Sequence, residues 1–234
     1  EIIHLLEAYV DTYLRQEIRE EALVKKLEPF ARFLEIAALT NAQTTNMANV
    51  ARDAGVSRAT VQGYFEVLTD TLIGSFLNPW KPRARIKEVT HPKFYFFDPG
   101  VSRALSGRLR EPLESAERGH LLETLVYNEL RAWNHIHDLG ANLSVWKTPS
   151  MVEIDFVVQV SKNSIGIEVK SSKNWKSEYS ETLKVMYEEK RITKGYGVYL
   201  GDRTLKDGPI VVLPLKQFMK LLERGEIFKF GRGI

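Results

Sequence analysis

A chain of 234 residues with a net charge of +3 is long enough to bury one large core or two modest ones, and two are expected. It contains no cysteine, which excludes a disulfide scaffold, a thiolate zinc site and a cysteine nucleophile and is compatible with a reducing cytoplasm, where we expect it. No apolar run reaches the length of a membrane-spanning helix, no signal peptide is visible, and the charge excess is too small to mark a nucleic-acid binder without local clustering.

The chain begins at Glu1 without a methionine and inside an apparent helix, which points to a piece of something longer. Leu5, Leu6, Tyr9, Val10, Tyr13 and Leu14 recur at helical spacing, and Phe30, Phe33, Leu34 and Ala37 repeat the pattern after Pro29. Between Thr44 and Leu68, Met47, Val50, Ala51 and Ala54 form one apolar face and Val61, Tyr64, Phe65 and Leu68 another. Gly55 suits the left-handed turn that closes the first helix, and Ser57 is a good N-cap for the second. This is a helix-turn-helix pattern, with Arg58, Thr60 and Gln62 near the end of the second helix, where recognition helices reach base edges. A tri-helical unit of this kind also serves as a packing or protein-contact module.

Leu72–Leu77 and Phe94–Phe97 read as strands, and the stretch between them carries Lys81, Arg83, Arg85, Lys87 and Lys93 against Glu88 alone. A basic loop joining two strands behind a helix-turn-helix reads as a wing suited to phosphate contacts; the alternative is a merely solvated loop. Asp98-Pro99 opens a short helix, and the polar stretch Gly107–Glu117 marks the expected domain boundary.

The second half opens with a helix from Arg118 to about His137, with Glu123 close to its apolar face. By itself Glu123 reads as an exposed helical acid. His135 and His137 stand more than half a turn apart and are expected at the surface rather than on a shared metal. Leu143–Lys147 is a strand, and Val152–Val160 and Ile165–Val169, joined by the polar turn Lys162-Asn163-Ser164, read as a hairpin. A helix over Glu181–Arg191, strands over Tyr196–Leu200 and Ile210–Leu213, and a last helix after Pro214 complete the order.

Charges inside that hairpin need a reason, because even an uncharged polar group buried without a partner costs roughly 2 to 7 kcal/mol and an ion far more. Asp155 sits in the first strand; Glu168 and Lys170 share one face of the second. Either the three form a salt bridge, or Asp155 and Glu168 hold a divalent cation while Lys170 positions a water or steadies a phosphate; hard oxygen ligands suit Mg²⁺ or Mn²⁺. Glu153 is expected to point the other way, as a solvated charge.

An Asp in one strand followed by Glu-x-Lys in the next, in the order helix, strand, strand, strand, helix, strand, resembles the PD-(D/E)XK nuclease superfamily. The stretches NVARDAGVSRATVQGYFEVL, PKFYFFDPGVSRAL, GHLLETLVYNEL, VEIDFVV and IEVKSS together look like the C-terminal region of a widespread family of AAA-type ATPases. In that family a P-loop ATPase precedes a winged helix-turn-helix and a PD-(D/E)XK-like domain. The resemblance implies an α+β / α/β chain: a helical winged helix-turn-helix domain over residues 1–108 and a restriction-endonuclease-like αβββαβ domain over 109–234. It maps metal ligands onto Asp155 and Glu168, the superfamily lysine onto Lys170 and the helical acid onto Glu123. Ile154 stands where the superfamily name has Pro, at a position that supplies no ligand. With no G-x-x-x-x-G-K-[ST] there is no nucleotide site in this chain, and the upstream ATPase of the same polypeptide becomes an implied partner beside DNA. The implied function is a DNA-binding, Mg- or Mn-dependent phosphodiesterase; the alternative is a non-catalytic DNA- or protein-binding module of the same fold.

Overall fold

A computed structural model describes residues 1–14, 27–80, 91–150 and 152–229. The chain is mixed α and β and divides into two compact units, Glu1–Leu77 with His91–Thr124, and Asn78–Thr90 with Leu125–Ile234. Among the described residues no helix is long and apolar enough to cross a membrane.

In the first unit α1 (Ile2–Ala8) runs into a π-helical turn (Tyr9–Leu14), followed by α2 (Leu27–Leu39), α3 (Met47–Ala54) and α4 (Arg58–Asp70). Local chemistry sets the ends of α3 and α4. The Asn46 side chain accepts from the backbone N–H groups of Ala48 and Asn49 at 3.0 and 3.2 Å, and Ser57 Oγ accepts from the N–H of Thr60 at 3.1 Å. Gly55 closes α3 at φ 68°, a conformation that a Cβ penalises. Two short antiparallel strands, β1 (Gly74–Leu77) and β2 (Lys93–Phe96), precede α5 (Pro99–Leu105), which Asp98 caps by accepting from Val101 N–H at 2.8 Å.

The apolar positions at helical spacing close on β2. Phe33 meets Phe65 edge-on at 4.8 Å between ring centroids, and Phe65 meets Phe94 in the same way at 4.8 Å. Burying such side chains contributes roughly 1.5 to 3 kcal/mol each. Asn41, also buried, ties the core together: its Oδ1 accepts from Phe96 N–H at 3.0 Å and its Nδ2 donates to Thr124 Oγ1 at 2.7 Å.

Helix α6 (Ser115–Ile136) crosses the division between the units, which falls between Thr124 and Leu125. The second unit is built on a six-stranded sheet: β3 (Asn142–Lys147), β4 (Glu153–Val160), β5 (Asn163–Lys170), β6 (Lys194–Tyr199), β7 (Leu205–Asp207) and β8 (Ile210–Pro214), in the spatial order β3-β4-β5-β6-β8-β7. The β3–β4, β4–β5 and β7–β8 pairs are antiparallel, whereas β5, β6 and β8 run parallel. A parallel pair cannot be joined by a tight turn, and the β5-to-β6 connection carries a 3₁₀ turn (Ser177–Ser180) and α7 (Glu181–Glu188). That helix lies close to the sheet because β5 has Gly166 beneath it: a Cβ there would stand 2.6 Å from Leu183 Cδ2. Helix α8 (Leu215–Glu223) follows β8 directly and buries Phe218 and Leu222.

Candidate metal and phosphate site

Asp155 and Glu168 lie at neighbouring positions of the β4–β5 hairpin. The paired register runs from Val160↔Asn163 to Phe156↔Ile167; one step further it would bring Asp155 to Glu168. There a side chain takes over from the backbone: the Val169 N–H donates to Asp155 Oδ2 at 2.8 Å. Both acids are 8% exposed, so each needs such a partner to offset its lost hydration.

For Glu168 one partner is Lys170, whose Nζ donates to Oε1. The two residues are separated by one position on β5 and therefore emerge on the same side of the strand. The Lys170 side chain keeps 32% of its exposure and lies 5.6 Å from the centre of the Tyr179 ring, so this end of the site is reachable from solvent.

Glu153 corrects the sequence reading. Rather than standing as a solvated charge on the other side, it is half-buried and offers a carboxylate oxygen within 4.8 Å of one from Asp155. The reason is the strand period: Asp155 is two positions on from Glu153, with Ile154 alone between them, and a period of two returns the side chain to the same face. Lys147 Nζ on β3 pairs with Glu153 Oε2 at 2.9 Å. A divalent cation with oxygen ligands at about 2.0 to 2.6 Å bridges oxygens at such a separation, and an all-carboxylate donor set suits Mg²⁺ or Mn²⁺.

Glu123, on α6, belongs with the first unit. It is not an exposed helical acid: it is 8% exposed, receives Lys93 Nζ at 2.7 Å and accepts from the Tyr95 hydroxyl at 2.5 Å. This pairing moves Lys93 out of the basic loop. It stands at the start of β2, 5% exposed, as the counter-ion of a buried carboxylate.

Of the residues expected on DNA, Arg58 and Gln62 are exposed near the start of α4, and Gln62 Nε2 donates to Glu66 at 3.1 Å. Thr60 is half-buried, its hydroxyl 2.8 Å from that of Ser57. Lys81, Arg83, Arg85 and Lys87 lie outside the described residues. His135 and His137 are exposed, and His137 stacks on Trp133 at 4.2 Å.

Residues 1–111 match the family described as Domain of unknown function (DUF8612), and residues 118–218 match Domain of unknown function (DUF4143). Two curated relatives are similar to this chain: "Uncharacterized protein Rv2008c" of Mycobacterium tuberculosis (strain ATCC 25618 / H37Rv) and "Uncharacterized protein Mb2031c" of Mycobacterium bovis (strain ATCC BAA-935 / AF2122/97). Each is 28% identical over 171 residues, covering 70% of this chain and 37% of the relative. The matched region is thus little more than a third of the length of these relatives.

Proposed function

We propose that this chain is a DNA-binding, metal-dependent phosphodiesterase module, nuclease-like in its second unit and winged-helix-like in its first, from the C-terminal part of an AAA-type ATPase. The observation that carries the proposal is the gathering of Glu153, Asp155, Glu168 and Lys170 at one end of the β4–β5 pair, acids and an amine on neighbouring strands of a mixed sheet. The match to a domain often found in AAA-ATPase-associated proteins is in keeping with the placement beside an ATPase.

In this function Asp155 and Glu168 hold Mg²⁺ or Mn²⁺, with Glu123 as the third acid the resemblance adds and Glu153 as the acid the geometry adds. The bound ion supplies Lewis acidity at the phosphate and a water of lowered pKa. Lys170 orients or activates the attacking water, the Val169 N–H keeps Asp155 in a fixed rotamer, and Lys147 holds Glu153. Arg58, Thr60 and Gln62, with Lys81, Arg83, Arg85 and Lys87, supply contacts to duplex DNA. Replacing Arg83 and Arg85 should then weaken binding equally for all sequences and lower its salt dependence.

The test is a nicking assay on plasmid and branched DNA with Mg²⁺ or Mn²⁺, comparing the parent with Asp155→Asn and Lys170→Ala. Cleavage by the parent that both variants lose supports the assignment. No cleavage by the parent on any substrate, with the full-length ATPase also tried, removes it.

The Lys170–Glu168 ion pair favours a second function: a binding module of the same fold in which the charges are structural. Under that function Lys170→Ala destabilises the fold and divalent ions leave the melting temperature unchanged.

A further inference from the structure

The parallel strands β5, β6 and β8 end in one row, with Lys170 beside Tyr199 and Tyr199 beside Pro214. In sheets of this kind the crevice beyond the carboxyl ends of the strands is where ligands bind. A groove of about 730 Å³ opens there, with Tyr199, Pro214 and Asp202 in its walls and one face of α8 along its side. That face presents Lys216, Lys220 and Arg224, four residues apart and all exposed. Four-residue spacing stacks side chains along one helix face. Among the described residues none of the three is in an ion pair, although exposed cations elsewhere in this chain pair with neighbouring acids, as Lys176 does with Glu178 and Arg32 with Glu28. Three cations thus face one carboxylate, Asp202, across the groove.

From Lys216 to Arg224 the helix rises by about 12 Å. Cations four residues apart on a helix stand about 6 Å from one another, so the row can lie along several phosphates of one strand. Strands lie about 4.8 Å apart, which puts Pro214, where α8 begins, about 10 Å from Lys170 across β6.

We infer that the α8 groove is a track for a nucleic-acid phosphodiester backbone, in which Lys216, Lys220 and Arg224 hold successive phosphates on their way to the acids beside Lys170. The inference rests on the nucleic-acid part of the function proposed above and not on its hydrolytic step. The track reads charge and spacing, so it grips the backbone without regard to base sequence.

The experiment measures binding of a fluorescent duplex by anisotropy in EDTA, from about 50 to 200 mM salt, for the parent, for Lys216→Gln/Lys220→Gln/Arg224→Gln, and for Lys220→Gln alone. Lys162→Gln/Lys190→Gln, which removes exposed charge at the opposite ends of β5 and β6, is the control. The slope of log affinity against log salt should fall by about one for the single variant and by two to three for the triple, and should hold in the control. An unchanged slope in the triple variant, an equal fall in the control, or no binding by the parent overturns the inference. A fallen slope with no metal-dependent cleavage leaves the track standing and removes the hydrolytic step; cleavage with an unchanged slope does the reverse.

Discussion

The Val169 N–H donates to Asp155 Oδ2 at 2.8 Å, so that one carboxylate oxygen closes the β4–β5 ladder where the backbone pairing stops. A group with that double duty separates structure from chemistry under substitution. Asp155→Asn keeps an oxygen that can accept from Val169 and should change the unfolding free energy by less than about 1 kcal/mol. Asp155→Ala leaves that buried N–H without its acceptor, at a cost of about 1 to 3 kcal/mol. Urea unfolding measures both. If the two variants are equally stable, the hydrogen bond has no structural weight.

Lys93 and Glu123 form a buried pair at 2.7 Å, joined by the Tyr95 hydroxyl. Lys93→Met takes away the ammonium and should destabilise the first unit by about 3 kcal/mol. Adding Glu123→Gln should recover much of that loss, because the carboxylate whose charge the ammonium offsets is gone as well. A double-mutant cycle with a coupling energy near zero would show that the two charges do not act on each other.

Asp207 gives the second unit a pH-dependent term. Burial raises its pKa, but hydrogen bonds from Lys184, Ser180 and Ser177 and the Lys184 charge outweigh this and hold the carboxyl below its ordinary value. Lys184 Nζ approaches it to 2.5 Å and Ser177 Oγ to 3.0 Å. With the folded pKa below the unfolded value of about 3.9, the stabilisation is complete above that value and is lost as pH falls through the folded pKa. The melting temperatures of the parent and of Asp207→Asn should therefore differ at neutral pH and converge as the pH falls through the folded pKa of Asp207. A gap that stays constant with pH would place the effect in packing instead.

At Gly166 a methyl group would come 2.6 Å from Leu183 Cδ2 and 3.0 Å from Ile192 Cδ1. Gly166→Ala should cost about 1 to 3 kcal/mol by pushing α7 away from the sheet. Gly55→Ala meets no atom within 4 Å, and its cost of about 1 kcal/mol comes from the left-handed φ alone. Adding Leu183→Ala should relieve the first and leave the second untouched, which thermal melts can resolve.

Much of this architecture is legible in the sequence, because its signals are local. Gly55 and Ser57 mark the end of α3 and the start of α4 through a left-handed turn and a bond spanning three residues, and the run read over Val152–Val160 forms β4. The Glu-x-Lys spacing likewise puts Glu168 and Lys170 on one side of β5 with no knowledge of the rest of the chain.

What the tertiary structure decided are the pairings between residues far apart in sequence. Lys93 belongs to a basic stretch by composition, yet β2 buries it against Glu123, thirty positions away. The carboxylate of Asp155 caps a ladder through a residue fourteen positions on, and the cations of α8 line a groove only because parallel pairing aligns the ends of β5, β6 and β8. Side-chain period and capping are properties of a few consecutive residues, so a sequence determines them by itself. Charge partners depend on which strands become neighbours, and that follows from burying the whole core.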